Sequence, residues 1–363
     1  MILRASSFVK RHPQLFGAYI TNFSCGPDSF LLTYFRQIMG DKPSLTLEVD
    51  SHTADAGVNT RIEAFLDIVA RYRKSQNTFG NDQKVNQEFC PAQVVLTGKK
   101  YKVVLSDKKE YSIFSPKVHF LIPSMGDLTT SVLTATLSGL GIKATAMGVP
   151  DSETLMLGRG NTSCKECLPL ILSCGNLLKY LRYRQNTKEI LLYFMPTVGG
   201  NCRFSQYSVF LQNLITRNKI KDAAVFSITS ENGYAGLGRR FSVAAFKAAI
   251  VSDAFDDIRN TLTVLAKDRE QAMEVFKEEW QKILHCFRVN KNRGLERQLV
   301  QTSAALRKIP LKYGIEEAKF VSLLGEIFVR KEIFSRSGLV DRLTAREIDR
   351  KSTRLNSSHE SPS

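Results

Sequence analysis

Seven cysteines in 363 residues are too few for a secreted disulfide scaffold, and an odd number leaves at least one unpaired. Three of them stand in one kind of place. Cys25 follows an apolar run and precedes a helical pattern, and Cys202 does the same after the run 189–194 and the glycine turn 197–201. Cys167 comes immediately before Leu168-Pro169, and a proline near the first helical position marks a helix N-terminus. Free backbone N–H groups and positive potential at such a terminus favour the thiolate, as nucleophile or as soft-metal ligand. A lone cysteine is most often a small buried hydrophobe, and each of the three taken singly has that reading. Their recurrence points to a shared soft-metal site, iron–sulfur before any other. Two alternatives stay open: a redox reading of Cys164-Lys165-Glu166-Cys167, which lacks an aromatic-Gly-Pro context, and zinc, for which no second C-x-x-C or paired His is present. Cys90, Cys174 and Cys286 have no such context and read as structural.

Asp50, His52 and Asp55 form a compact polar group after a strand, suited to acid–base work or to positioning a ligand, and equally to capping a turn. Gly233, Gly236 and Gly238 match neither a phosphate loop nor a dinucleotide fingerprint, so no ATP site is expected, and no Ser-His-Asp spacing is legible.

The elements that must position these residues repeat a pattern: an apolar run of strand length, a Gly, Pro or Ser turn, then a helical period. Strands are expected at residues 15–23, 45–49, 118–123, 142–147, 189–194, 223–228 and 320–324. Helices are expected from Asp28 or Ser29 as cap to a stop at Gly40, then at 60–73, 127–139, 168–183 and 204–216, with two amphipathic helices over 239–286. This is the grammar of an α/β protein with Rossmann-like doubly wound sheets in two subdomains and a helical C-terminal part. The expected organisation is a partial N-terminal α/β subdomain (1–74), a linker with a β-hairpin turning at residues 97–100 (75–117), a second Rossmann-like subdomain (118–286) and a C-terminal segment returning to α/β (287–350). The tail 351–363, with five Ser and one Leu, cannot bury anything and looks like translated adaptor sequence.

Composition narrows the class further. With 43% apolar and 24% charged residues, a wholly disordered or collagen-like chain is excluded. The net charge of +16 is spread evenly along the chain, so no basic arm emerges. The run from Lys282 to Lys308, seven basic residues to one Glu, is the one local excess. Apolar runs fall far short of a membrane span and no leader is visible, which makes a cytoplasmic protein the expectation.

Several motifs carry a resemblance. Phe23-Ser-Cys25-Gly-Pro-Asp-Ser-Phe30, Glu48-Val-Asp-Ser-His52-Thr-Ala-Asp-Ala-Gly57, Lys165-Glu-Cys167-Leu-Pro169, Phe194-Met-Pro-Thr197 and Cys202-Arg-Phe-Ser-Gln-Tyr207 resemble, in order, the C-terminal part of the large acyl-CoA dehydratase activase-related proteins. That part is similar to the catalytic subunits of 2-hydroxyacyl-CoA dehydratases and benzoyl-CoA reductases. The resemblance implies a module carrying an iron–sulfur cluster, [4Fe-4S] in the first instance, on Cys25, Cys167 and Cys202. It implies an ATP-hydrolysing activase as partner, in the same full-length chain or as a separate subunit. The activase supplies low-potential electrons for reduction or dehydration of CoA thioesters in anaerobes. Cys164 stands where the resemblance puts a small residue and ranks last as a ligand. The ATPase domains that precede this module in full-length relatives are missing, so the resemblance implies a fragment. The runner-up is a basic binding module for nucleic acid or phosphorylated ligands, without catalysis, and the even charge weighs against nucleic acid.

Overall fold

The structure, a computed structural model, describes all residues but 23–25, 50–54, 79–88, 98–99, 164, 199–201, 230–236, 290–291 and 353–363. It divides into two compact units, Met1–Phe89 with Arg159–Ile171, and Cys90–Gly158 with Leu172–Ser363.

In the first unit the chain runs α1 (Ile2–Arg11), β1 (Gly17–Thr21), α2 (Asp28–Met39), β2 (Ser44–Glu48) and α3 (Asp55–Thr78). β1 and β2 are parallel, with Tyr19 opposite Thr46. β1 alternates strictly, burying Gly17, Tyr19 and Thr21 and exposing Ala18 and Ile20, the pattern of a half-buried strand. Tyr19 packs with Leu32, Phe35 and Met39 of α2. Gly17 makes the approach possible, because a Cβ there would lie 2.9 Å from the Phe35 ring. α2 stops at Gly40, whose φ of 52° is the left-handed region that glycine enters without cost. Lys10 Nζ donates to the Met39 carbonyl at 2.5 Å, and the buried Lys42 Nζ donates to the Val9 and His12 carbonyls at 2.7 and 2.5 Å. Each lysine thus caps the C-terminus of a helix, where the free carbonyls favour a cation. Burial first, and Lys10 second, hold the Lys42 pKa below its ordinary value.

The second unit opens with an antiparallel sheet, β3 (Gln93–Thr97), β4 (Lys100–Val104) and β5 (Glu110–Ser112). There follow β6 (Val118–Ile122), α4 (Asp127–Gly139), β7 (Ala144–Ala146), α5 (Ser152–Gly160), α6 (Leu168–Tyr183), β8 (Ile190–Phe194), α7 (Tyr207–Arg217) and β9 (Ala223–Phe226). The four strands make a parallel sheet in the order β7-β6-β8-β9, so the strand order reverses between β6 and β8. Both central strands are buried along their whole length, which is why they read as continuous apolar runs. Phe120, Phe194 and Phe226 form the aromatic centre of the core, and Val103 of β4 and Ile113, just after β5, join it. Gln212 ties the layers, donating to the Ala92 carbonyl at 3.1 Å and accepting from the Val225 amide at 3.0 Å. A helical layer follows, α8 (Gly238–Leu265), α9 (Arg269–Arg288) and α10 (Asn292–Leu306), packed with α4 around Val132, Phe255, Phe276 and Trp280. The chain returns to α/β with β10 (Lys319–Leu323), α11 (Ile327–Lys331), α12 (Leu339–Thr344) and β11 (Ile348–Ser352), β10 pairing parallel with β11.

The protein is therefore mixed α/β, Rossmann-like, with parallel sheets and a helical part toward the C-terminus. Some expectations change. The hairpin gains a third strand, β7 is shorter than expected, and α5 was not foreseen. Asp28 does not cap α2: its N-cap is Pro27, and the Asp28 carboxylate accepts instead from Tyr19 Oη at 2.9 Å and Thr21 Oγ1 at 2.6 Å. Cys90 is exposed and not a core residue, whereas Cys174 is fully buried. Lys351 and Ser352, at the start of the excluded tail, pair with Ser322 and Leu323. Among the described residues no helix is long and apolar enough to cross a membrane.

Candidate functional site

Cys167 lies at the entrance to α6, its carbonyl accepting from the amides of Leu170 and Ile171 at 3.0 and 3.3 Å, and its residue is half-buried. The loop before it is held from two directions inside the first unit. Glu166, 4% exposed, accepts from Thr33 Oγ1 of α2 at 2.8 Å through one oxygen. Through the other it accepts from the Ser163 amide at 3.0 Å and the Ser163 hydroxyl at 2.8 Å. Lys165 Nζ reaches Glu48 at the end of β2, 3.0 Å away. A buried carboxylate is tolerated when its lone pairs are filled in this way, and these bonds tie Ser163, Lys165 and Glu166 to their partners.

Two tyrosines belong to the same framework. Burial, with Asp28 beside it, pushes Tyr19 up to about 12, and burial, with Glu166 nearby, does the same for Tyr34. Both phenols stay protonated at any physiological pH, and the Tyr34 hydroxyl finds no hydrogen-bond partner among the described residues.

Of the residues singled out in the sequence, Cys25, Cys164, Asp50 and His52 lie outside the described residues, and Asp55 enters as the first residue of α3. Their described neighbours are anchored. Asp28, three residues after Cys25, is fixed by Tyr19 and Thr21, and Glu48, two before Asp50, is fixed by Lys165.

Cys202 belongs to the second unit. Beyond β8, Thr197 bridges Thr229 in parallel, its amide donating to the Ile228 carbonyl at 2.8 Å, so the backbone stays in sheet register past the strand. The exposed Cys202 then caps a short 3-10 turn, Arg203–Gln206, that runs into α7. That position is the carboxyl edge of the sheet, where ligands bind in open α/β folds. On the same edge, where the strand order reverses, a crevice of about 500 Å³ is bounded by Met125, Phe194, Pro196, Ile228 and Phe246, with Thr129 and Ser242 as its polar atoms. It suits an uncharged, apolar group.

Thiolates fit iron as donors, and Cys202 is a free thiol. Among the described residues no group of three or more His, Cys, Asp or Glu side chains could together hold a metal ion. The sequence missed Glu166, whose signal was an acid enclosed between two cysteines. It also missed Glu332, which is fully buried and accepts from Ser124 Oγ at 2.6 Å in the turn after β6. Of the basic run, Lys282 and Arg288 lie on α9 and Arg293 and Arg297 on α10, and Lys282, its first member, is held by Glu279 at 2.6 Å. Compared with protein-family models, with curated proteins and with solved structures, the chain matches none of them.

Proposed function

We propose that the chain is an iron–sulfur module with Cys25, Cys167 and Cys202 as thiolate ligands. It accepts low-potential electrons from an ATP-dependent activase for the reduction or dehydration of a CoA thioester or a related small substrate. The supporting observation is the way Cys167 is presented. Lys165 and Glu166, immediately before it, are both fixed by partners more than a hundred residues away in sequence, while Cys167 itself stays half-exposed at a helix N-terminus. A structural thiol needs no such support, whereas a ligand does, because outer-shell bonds set the rotamer and the electron density of the sulfur. Cys202, exposed at the carboxyl edge of the sheet, has the same relation to a helix start.

When bound, the cluster supplies one-electron chemistry at a potential tuned by burial and by hydrogen bonds to sulfur. The chain's own residues supply the rest. Thr33 and Ser163 hold Glu166, and the apolar crevice beside β8 excludes water from the acyl portion of a substrate.

Anaerobic reconstitution of the full chain with iron and sulfide tests the reading. A brown protein is expected, with iron and sulfide that co-elute. Cys167→Ser and Cys202→Ser are expected to lose most of the iron, and Cys90→Ser, at an exposed position outside the set, none. A colourless wild-type chain, or equal loss in all three variants, overturns it.

A further inference from the structure

His119 of β6, 6% exposed, has both ring nitrogens engaged: Nδ1 lies 3.0 Å from Glu189 Oε2 and Nε2 lies 2.7 Å from Thr145 Oγ1. An ionised carboxylate only accepts, so Nδ1 carries the proton and donates to Glu189; in that tautomer of the imidazole Nε2 is the acceptor that faces the Thr145 hydroxyl. Glu189 is kept ionised. Burial works against this, but hydrogen bonds from Lys143 and His119 outweigh it and hold the carboxyl below its ordinary range. The Tyr180 ring stands edge-on to the imidazole at 6.3 Å and shields it. A buried histidine that served packing alone would end on a buried partner. This chain of bonds ends on Thr145, an exposed residue in the wall of a cavity of about 270 Å³ shared with Met147, Val149, Asn176, Tyr180 and Tyr183.

We propose that Thr145, His119 and Glu189 form a second reactive site, separate from the cysteine candidates, in which Thr145 is the nucleophile toward small neutral activated esters or thioesters. As Thr145 Oγ1 bonds to the acyl carbon, His119 Nε2 takes its proton. The bond to the leaving alcohol or thiol breaks with its electron pair, and that group takes the proton from His119. Water releases the acid by the reverse sequence, with no change in oxidation state. Glu189 is a positioning residue that fixes the tautomer, and the buried Asn176, which lines the same cavity, is an amide donor for the developing oxyanion. The cavity is smaller than the usual range for drug-sized ligands, which limits the acyl group to a short chain or a single ring. Lys179 on its rim is already held by Asp151 and Glu153, so a charged acyl group gains nothing there.

The probe is para-nitrophenyl acetate with the full chain. A burst of one nitrophenolate per chain is expected, with the acetyl group found by peptide mass spectrometry on Thr145. Thr145→Ser keeps the burst and Thr145→Val abolishes it. His119→Gln slows it by about 100-fold or more, and Glu189→Gln slows it with the half-saturation concentration unchanged. Thr145 is exposed, so Thr145→Val decides the matter if His119→Gln does not fold. Acetyl on Lys143 in place of Thr145, no burst in the wild type, or a burst that survives Thr145→Val overturns the proposal.

Discussion

Glu166 is the acid that couples the cysteine loop to α2, and its two oxygens accept three hydrogen bonds while the residue is almost fully enclosed. Replacing it with alanine leaves Thr33 and Ser163 without their acceptor. Glu166→Ala is therefore expected to cost about 2–3 kcal/mol, since bonds to a charged group contribute more than neutral ones. Urea unfolding followed by circular dichroism measures this, and no change in midpoint would contradict it. The tyrosines of the same region give a pH prediction. Tyr19 and Tyr34 titrate at about 12 when folded and near the ordinary value of about 10 when unfolded. Between those values the unfolded state has lost protons that the folded state keeps, so stability falls as pH rises from about 10 to about 12 and is intact below. Ultraviolet phenolate titration should show both among the phenols that ionise late, together with the buried Tyr193, and Tyr34→Phe should remove one phenol from that late group.

At the scale of elements, close approaches and caps determine which helices can form and meet. In α6, a Cβ on Gly175 would lie 1.8 Å from the Thr154 carbonyl of α5, so the two helices cross backbone to backbone at that glycine. Gly175→Ala is expected to destabilise the second unit by about 1–3 kcal/mol through overpacking, in spite of alanine's better helix propensity, as a thermal melt would record. Asp268 caps α9 by accepting from the Gln271 amide at 3.0 Å, and Asp268→Ala should cost about 1 kcal/mol in the same measurement. Asp151 does the same for Thr154 of α5 and is held down to about 2, by Lys179 first and by Thr154 second. Its contribution is present above the ordinary carboxyl value and is lost as pH falls toward about 2. Element by element, β6, β8, α2 and α4 were legible because burial along a regular element leaves its period in the sequence. β5 was not, since Glu-Tyr-Ser is too short to carry a period, and α5 was obscured by the two glycines in its last turn.

For the molecule as a whole, the chain's single tryptophan reports on the second unit. Trp280 is buried beside Phe255, with ring centroids 5.0 Å apart, in the layer formed by α4, α8, α9 and α10. Phe255→Ala should leave a cavity at that contact, cost about 3 kcal/mol and lower the urea midpoint read from tryptophan fluorescence. By itself the sequence determined the alternation of strands and helices, the burial of the central strands and the placing of Cys167 and Cys202 at helix starts, because each of these follows from residues close together in the chain. Tertiary structure alone decided that Glu166 would meet Thr33 across 133 residues, that Asp28 would serve β1 and not the end of its own helix, and that His119 would stand between Glu189 and Thr145. Local periodicity records whether a side chain is buried. Which donor a buried carboxylate finds depends on how distant elements are packed against each other, and no spacing along the chain encodes that.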